Sequence, residues 1–281
     1  MRKGYTKLTG GWPAALALPI LLAGPALGGE ISAVLSSGSG PYAEAYASFK
    51  TGLARPHGTY DASAADFVPP ENSAYFAAFG ARAAAADYPP GSRGVYVLAP
   101  STVRRRGWQH ISMVPSPTGA VAGFLTLQPG LKRLAVFWAA YPGEDYMADL
   151  RDAGRRAGVE IISARLRSTD AFPERLRGLL GRMDAFWLMP DPALITAHSL
   201  MVLASFACGN SLPFYAPTAA LVQNGATASL APDFAQSGAA AAEAARAFLR
   251  GEDLPEVLFV ENPRLRLNAE LIAKCRWPVK R

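Results

Sequence analysis

Continuous apolar runs recur in the second half of the chain and alternate with segments of helical periodicity. LAVFWA (134–139), AFWLMP (185–190) and LPFYAP (212–217) carry no charged residue, as is typical of parallel strands that helices cover on both faces. VEIISARL (159–166) predicts a further strand. Two apolar stripes at helical spacing lie between these strands: Met147, Leu150, Ala153 and Ala157, and Leu176, Leu179, Leu180 and Met183. The pattern predicts a parallel α/β sheet, which binds ligands at the carboxyl ends of its strands.

The first half of the chain follows the same plan. ISAVLS (31–36) predicts a strand, and the loop SGSGP then leads into an amphipathic helix. Further strands are predicted at 58–63, 94–100 and 110–115, and an alanine-rich helix at 75–86. After a helix at 239–249, Asn262 and Pro263 predict a hairpin ahead of a terminal helix. The fold class is therefore α/β, with two Rossmann-like lobes whose parallel sheets are joined by a hinge.

The domain boundaries follow from changes in composition. Residues 116–130, rich in glycine, proline and threonine, are predicted to cross between the halves, and residues 251–255 to form a second part of the hinge. The predicted units are a signal peptide (1–28), an N-terminal α/β lobe (29–118), a crossing segment (119–131), a C-terminal α/β lobe (132–250) and a return segment with a hairpin and a helix (251–281).

The N-terminus predicts export. Arg2, Lys3 and Lys7 precede the apolar stretch WPAALALPILLAGPALG, which ends in small residues, so the three regions of a signal peptide occur in order. The stretch contains prolines and is shorter than the ~20 residues that a spanning helix needs, which favours cleavage over an uncleaved anchor. No cysteine lies near the cleavage region. We therefore expect a periplasmic protein without a lipid anchor.

Charge argues against nucleic acid as a partner. The chain has 28 basic and 22 acidic residues, so removing the three basic residues of the predicted signal leaves 25 against 22. The basic cluster Arg104, Arg105 and Arg106 is interpreted as a solvated loop. We expect a monomer that binds no nucleic acid.

The two cysteines leave two possibilities open. Export would permit a disulfide between Cys208 and Cys275. Cys208 lies in the apolar stretch LMVLASFAC, however, so a buried free thiol is the preferred interpretation.

Four stretches resemble the ABC transporter substrate-binding protein family and are similar to tryptophan and tyrosine uptake receptors. They are VLSSGSGPYAEAYASFK, AGVEI followed by FPERLRGLLGRMDAFWLMPD, LPFYAPTAALVQNGATASLAPDFAQSG, and RLRLNAELIAKCRWP. The resemblance implies a type I periplasmic-binding fold, a small-molecule ligand, and an ABC permease or membrane sensor as partner. The chain departs from the family at Gly38, where an acidic residue is usual, and residues 56–119 match loosely.

The first loop suits an anionic group. Ser36, Ser37 and the amide of Gly40 lie between a strand and a helix, where unpaired amides attract a carboxylate. Gly38, Gly40 and Ala43 also spell G-x-G-x-x-A, with Asp61 at the distance of a ribose-binding carboxylate. A dinucleotide-dependent enzyme is thus an alternative, although glycines open many such turns.

The remaining candidates lie mostly at other strand ends. Asp191 either caps a following helix or holds a ligand ammonium or hydroxyl, and Thr218 has the same two interpretations. Tyr42, Tyr141 and Tyr215 either stack on a ligand or pack between sheet and helix. The predicted ligand-binding residues are Ser36, Ser37, Gly40, Tyr42, Ser101, Tyr141, Asp191 and Thr218.

No catalytic or metal motif accompanies these residues. His57, His110 and His198 are far apart, and His198 is interpreted as a core residue of an apolar helix. The sequence lacks G-x-S-x-G, H-E-x-x-H and G-x-x-x-x-G-K-[ST]. We therefore predict no enzyme, cofactor or metal, but a solute-binding protein that closes on an amino acid-like ligand or small organic acid. A ligand-free or sensory partner with the same fold is the other alternative.

Overall fold

Two six-stranded sheets organise the protein in a computed structural model that describes residues 30–100 and 105–278. The strands are β1 (Glu30–Leu35), β2 (Gly58–Asp61), β3 (Ser73–Phe79), β4 (Arg93–Val97), β5 (Trp108–Ile111), β6 (Arg133–Trp138), β7 (Glu160–Arg165), β8 (Ala185–Leu188), β9 (Phe214–Ala216), β10 (Ala228–Ala231), β11 (Val257–Leu258) and β12 (Arg264–Leu267). The predicted signal peptide and Ser101 lie outside the described residues.

Eight α-helices connect and cover these strands within the described part of the chain. They are α1 (Gly40–Leu53), α2 (Ala81–Ala85), α3 (Pro117–Leu127), α4 (Glu144–Ala157), α5 (Phe172–Leu179), α6 (Ala197–Gly209), α7 (Phe234–Leu249) and α8 (Ala269–Lys274). In those same ranges, no helix has the combination of length and apolar character that crossing a bilayer requires.

The two sheets repeat one topology. The first has the order β2-β1-β3-β4-β5-β11 and the second β7-β6-β8-β9-β10-β12. All neighbouring strands are parallel except β10 and β12. The predicted architecture of two α/β lobes with mostly parallel sheets is therefore confirmed.

Burial on both faces explains why the apolar runs form central strands. In β6, Val136 and Trp138 pack into the core on one side of the sheet, and Ala135 and Phe137 into the core on the other. Both faces of a parallel strand are covered by crossover helices, so every position is selected for apolar character.

The segment at 116–130 is a helix rather than a hinge strand. Ser116 caps α3 by accepting a hydrogen bond from the Gly119 amide, with Oγ and N 3.2 Å apart. Val121 and Phe124 of this helix are buried in the core of the second lobe. Its apolar stripe outweighs the glycine and threonine content that suggested a crossing.

A second difference concerns residues 75–86, predicted as one helix. They form most of β3, then the short helix α2. β3 lies between β1 and β4 and has six of its seven residues buried, Ala77 and Ala78 among them. The central position in the sheet overrides the helical preference of alanine.

Helix α7 packs on the first lobe, although the sequence analysis assigned it to the second. Gly238 lies so close to α1 that a Cβ there would be 1.8 Å from the carbonyl oxygen of Ala45. The chain accordingly passes between the lobes three times, at 112–116, at 232–233 and at 259–263. The hinge segments predicted at 116–130 and 251–255 differ from these positions. The predicted hairpin at Asn262 and Pro263 is wrong, since β11 and β12 belong to different sheets.

The cysteines form a disulfide. Cys208 at the end of α6 is bonded to Cys275 after α8, with Cα atoms 4.7 Å apart. The free thiol favoured from the sequence is therefore wrong. The disulfide does have apolar surroundings, because Cys275 and Trp277 are buried in the same core. The Trp277 indole donates a hydrogen bond to the Ala207 carbonyl at 3.2 Å.

Candidate functional site

A cavity of about 510 Å³ lies between the two lobes. Its walls come from the first lobe, from two of the crossings, and from the loop and helix that follow β6. The lining residues are Tyr96, Pro100, His110 and Val257 of the first lobe, Ser112 and Phe259 of the crossings, and Ala140, Tyr141, Pro142, Gly143, Asp145, Tyr146 and Asp149 of the second lobe. The cavity therefore changes shape whenever the lobes move relative to each other.

Strand register brings the first-lobe side chains together. Tyr96 of β4 pairs with His110 of β5, so their side chains lie on the same face of the sheet. The His110 ring lies 5.9 Å from the Tyr141 ring of the second lobe. Neither Tyr96 nor His110 was predicted as a site residue, because both lie within predicted strands rather than after a carboxyl end.

Asp191 holds the second-lobe wall in place. Its Oδ2 accepts hydrogen bonds from the amides of Ala140 at 2.6 Å and Tyr141 at 2.9 Å, and its Oδ1 accepts one from Ala193 at 3.0 Å. The residue is 2% exposed and does not line the cavity. The carboxylate thus fastens a pocket loop to the end of β8.

The helix-capping interpretation of Asp191 is wrong. No helix begins at Pro192, and α6 starts at Ala197 with Thr196 as its cap. Direct contact between Asp191 and a ligand stays a prediction.

Two tyrosines of the second lobe reach the first crossing. The Tyr141 hydroxyl accepts a hydrogen bond from the Met113 amide at 2.9 Å, and the Tyr146 hydroxyl donates one to the Pro115 carbonyl at 2.9 Å. Burial raises the pKa of Tyr146 well above its usual value, so the hydroxyl keeps its donor proton at neutral pH. Tyr141 is the one predicted ligand residue among the described positions that lines the cavity.

The first loop lies apart from the cavity lining. Ser36 Oγ accepts a hydrogen bond from the Ala83 amide at 2.9 Å, and the hydroxyls of Ser37 and Ser39 are 3.0 Å apart. Gly40 is exposed and has a φ of 59°, which favours glycine. The roles of Ser36, Ser37 and Gly40 in ligand binding therefore stay predictions.

Asp61, the carboxylate of the dinucleotide alternative, closes a local turn. Its Oδ1 accepts a hydrogen bond from the Ser63 amide at 2.8 Å. Hydrogen bonds from the hydroxyl and amide of Ser63 lower the pKa of the Asp61 carboxyl.

The other candidates have structural surroundings. Tyr42 is half-buried against Gly80, where a Cβ would be 2.5 Å from its ring. Tyr215 is buried, and its hydroxyl donates to Gln128 Oε1 at 2.9 Å, so it packs in the core. Thr218 precedes the 3-10 segment Ala219–Asn224 without a side-chain capping bond. His198, predicted as a core residue, is exposed near the start of α6.

The family assignment rests on a match to the second half of the sequence and the end of the first. The sequence profile of the ABC transporter substrate binding proteins matches residues 120–274, which is more than half of the chain. This chain belongs to that family. It is a family of binding proteins that capture solutes for ABC transport, typically outside the cytoplasm, and not one of enzymes. No match was found among curated proteins.

Solved structures share the two-lobed fold with this substrate-binding protein. A substrate-binding protein with adhesive properties from Clostridium difficile, in its ligand-free, open form, has a TM-score of 0.63 at 13% identity, covering 89% of this chain and 95% of its own. A conserved domain protein from Vibrio cholerae has a TM-score of 0.60 at 15% identity, with coverages of 90% and 96%. An ABC domain from Streptococcus pneumonia in complex with L-Trp has a TM-score of 0.59 at 15% identity, with coverages of 89% and 96%. At these identities, the similarity is one of fold.

Proposed function

We propose that this protein captures its solute in the interlobe cavity and delivers it from the periplasm to an ABC permease. The observation that carries the proposal is the composition of the cavity wall, which includes residues of both lobes. A ligand that contacts both lobes has a higher affinity for the closed form than for the open form, and so shifts the equilibrium towards closure. The volume of about 510 Å³ suits a ligand of amino-acid size.

Closure would bend the three crossings, two of which are linked. Arg264 Nε lies 3.0 Å from Asp233 Oδ2, and Gln236 Nε2 donates to the Asn262 carbonyl at 2.9 Å. These contacts join the second crossing to the third.

The Cys208–Cys275 disulfide supports a location in an oxidising compartment. It agrees with the signal peptide that the sequence predicts at 1–28, and the periplasm is the compartment we propose. The protein acts there as a monomer whose closed form the permease, or a membrane sensor, recognises.

In the proposed closed form, residues that follow other strands and lie outside the cavity lining also contact the solute. Ser36, Ser37, Gly40 and Tyr42 follow β1, and Thr218 follows β9. Carboxyl ends of parallel strands face the ligand crevice in open α/β sheets, which supports a contribution from these residues.

A thermal-shift screen against small metabolites, followed by small-angle scattering, tests the proposal. A bound solute should raise the melting temperature and reduce the radius of gyration. His110→Ala in the first lobe and Asp145→Asn in the second should each weaken binding. The matched controls are His198→Ala, at an exposed position, and Asp152→Asn, at a partly exposed one, both outside the cavity lining.

A solute whose affinity depends on one lobe alone, with an unchanged radius of gyration, would contradict closure. Stabilisation by none of the metabolites would instead favour a ligand-free partner protein.

A further inference from the structure

Two exposed carboxylates on the cavity wall, those of Asp145 and Asp149, form no ion pair with a described residue. Asp145 and Asp149 are four residues apart on α4, so both lie on one face of the helix, and both line the cavity. Neither forms an ion pair in this part of the chain. Their neighbour Glu144, in contrast, has an oxygen 3.4 Å from Arg165 Nη1 and another 3.8 Å from Arg151 Nη2. The cavity therefore carries negative charge that the described protein leaves unpaired.

Hydroxyl groups on the described wall can bond to an anion, but none of them carries a compensating positive charge. No lysine or arginine occurs among the lining residues. Gly143 places the N-terminus of α4 at the cavity, but Glu144 and Asp145 stand in the first turn. Their charges offset the attraction that helix amides exert on an anion. A carboxylate ligand would thus lie beside like charges without a cationic partner.

Tyr96 independently points to a ligand. It lines the cavity and is 2% exposed, and its hydroxyl has no hydrogen-bond partner among the described residues. Its register partner His110 lies on the same sheet face and lines the same cavity. Burial raises the pKa of Tyr96 to about 12, so the hydroxyl stays protonated at neutral pH. Buried polar groups rarely remain unpaired, and a bound ligand would supply the missing partner.

We propose that the cavity selects a small organic cation, with an ammonium nitrogen on an apolar or aromatic body. Asp145 and Asp149 provide the counter-charge, and the rings of Tyr141, Tyr146 and Phe259 provide apolar surface and cation–π contacts. This inference rests on the proposed solute-capture function and adds the charge class of the solute. It favours an amine over the small organic acid considered from the sequence.

A matched series of compounds tests the charge class by calorimetry on the full-length protein. The series is 2-phenylethylamine, phenylalanine, 3-phenylpropanoate and 2-phenylethanol, which share a ring and differ in charge. We expect the amine to bind most tightly and the propanoate not to bind. The neutral alcohol measures how much the apolar body contributes alone.

Variants then identify the carboxylates responsible. Asp145→Asn combined with Asp149→Asn should raise the Kd of the amine about tenfold, a change of about 1.4 kcal/mol. The Kd of the alcohol should not change. Asp152→Asn is the control, because Asp152 is on the same helix, pairs with Arg155 and lies outside the lining.

Different experimental results would contradict the charge assignment and the solute-capture function. Equal or tighter binding of the propanoate, the alcohol or phenylalanine overturns the charge assignment, and lobe closure with such a ligand leaves solute capture intact. Binding of no compound in the series also overturns the charge assignment, while the metabolite screen decides solute capture separately. An amine affinity that the double variant leaves unchanged removes Asp145 and Asp149 from the site.

Discussion

The loops after β1 and β6 occupy equivalent positions in the two sheets but are held very differently. After β6, the amides of Ala140 and Tyr141 donate to the buried carboxylate of Asp191, and the Tyr141 hydroxyl accepts from Met113. After β1, the hydroxyls of Ser37 and Ser39 bond to each other and are partly or fully exposed. The loop after β6 is thus fastened by a distant buried carboxylate, whereas the loop after β1 is tied to α2 by Ser36, which accepts a hydrogen bond from the Ala83 amide.

The difference suggests a division of labour during ligand capture. The second-lobe loop is preorganised and contributes four consecutive residues, 140–143, to the cavity wall. A preorganised wall loses less conformational entropy on binding. The first-lobe loop has no such anchor from a distant buried side chain, so it can adjust as the lobes close.

Removal of the disulfide should change the relative stability of the two lobes most strongly, because both cysteines lie in the second lobe. The bond joins residues 67 positions apart. Its loss from Cys208→Ser with Cys275→Ser should lower the free energy of unfolding of that lobe by about 4 kcal/mol. Scanning calorimetry measures the shift. Reductant should destabilise the wild type and leave the double variant unchanged, and equal melting temperatures for the two proteins would contradict the expectation.

Asp191→Ala should have the next largest effect, since it leaves the buried amide of Tyr141 without its acceptor and weakens the pocket loop. We expect a loss of about 3 kcal/mol in the free energy of unfolding. Chemical denaturation measures it. The matched control is Asp61→Ala, which alters an exposed carboxylate at a first-lobe strand end and should leave the denaturation midpoint unchanged. A similar shift in the denaturation midpoint for both variants would show that Asp191 stabilises the protein no more than an exposed carboxylate does.

Tyr141→Phe should loosen the link between the pocket loop and the first crossing. The Met113 amide loses its acceptor, at an expected cost of about 1 kcal/mol. Hydrogen exchange at Met113 should become faster, while exchange in β8 should not change. Unaltered exchange at Met113 would mean that the tyrosine does not secure the crossing.

The smallest effect concerns an ion pair at the opposite end of the second sheet. Burial alone would raise the pKa of Asp184, but hydrogen bonds from the Arg133 side chain and from the amides of Lys132 and Arg133 lower it overall. Because the folded pKa lies below the unfolded value, the stabilisation is present above the unfolded pKa and lost as the pH falls through the folded pKa. Asp184→Asn should therefore destabilise by under about 1 kcal/mol above about pH 4, and the difference should disappear in stronger acid.

Denaturation curves across pH measure this effect. Asp253→Asn is the first-lobe control, since Asp253 is 99% exposed and lies 3.7 Å from Arg93. A pH-independent loss for Asp184→Asn would contradict the assignment.

The repeated α/β plan could be read from the sequence because burial on both faces leaves a local signature. The apolar run at 134–139 includes all of β6 except its first residue, and the run at 185–190 contains β8. The same reasoning failed at 75–86 and at 116–130, where alanine and glycine content suggested the wrong element. Small residues are compatible with either a close-packed strand or a helix, so composition could not decide.

The site was less accessible to sequence reasoning. Tyr141, which follows a predicted strand, lines the cavity. Of the two roles predicted for Asp191, the helix cap is wrong and direct ligand contact stays a prediction. Asp145 and Asp149 carried a usable signal, two carboxylates at helical spacing just after a strand end, that the prediction did not use. Tyr96 and His110 lie within the predicted strands at 94–100 and 110–115, where the apolar pattern does not indicate which side chains face a cavity.

The amino-acid sequence by itself determined the family, the fold class and the central strands β6, β8 and β9 of the second sheet, since these depend on which positions along the chain are apolar. Tertiary structure alone decided the lobe that α7 joins, the pairing of Cys208 with Cys275, and the two distant partners of Asp191, which lie 50 and 51 positions away. The physical reason is the distance along the chain between the residues that decide each feature. A strand reports its burial through its own residues, whereas a disulfide, a clamped loop or a cavity wall exists only when distant segments meet.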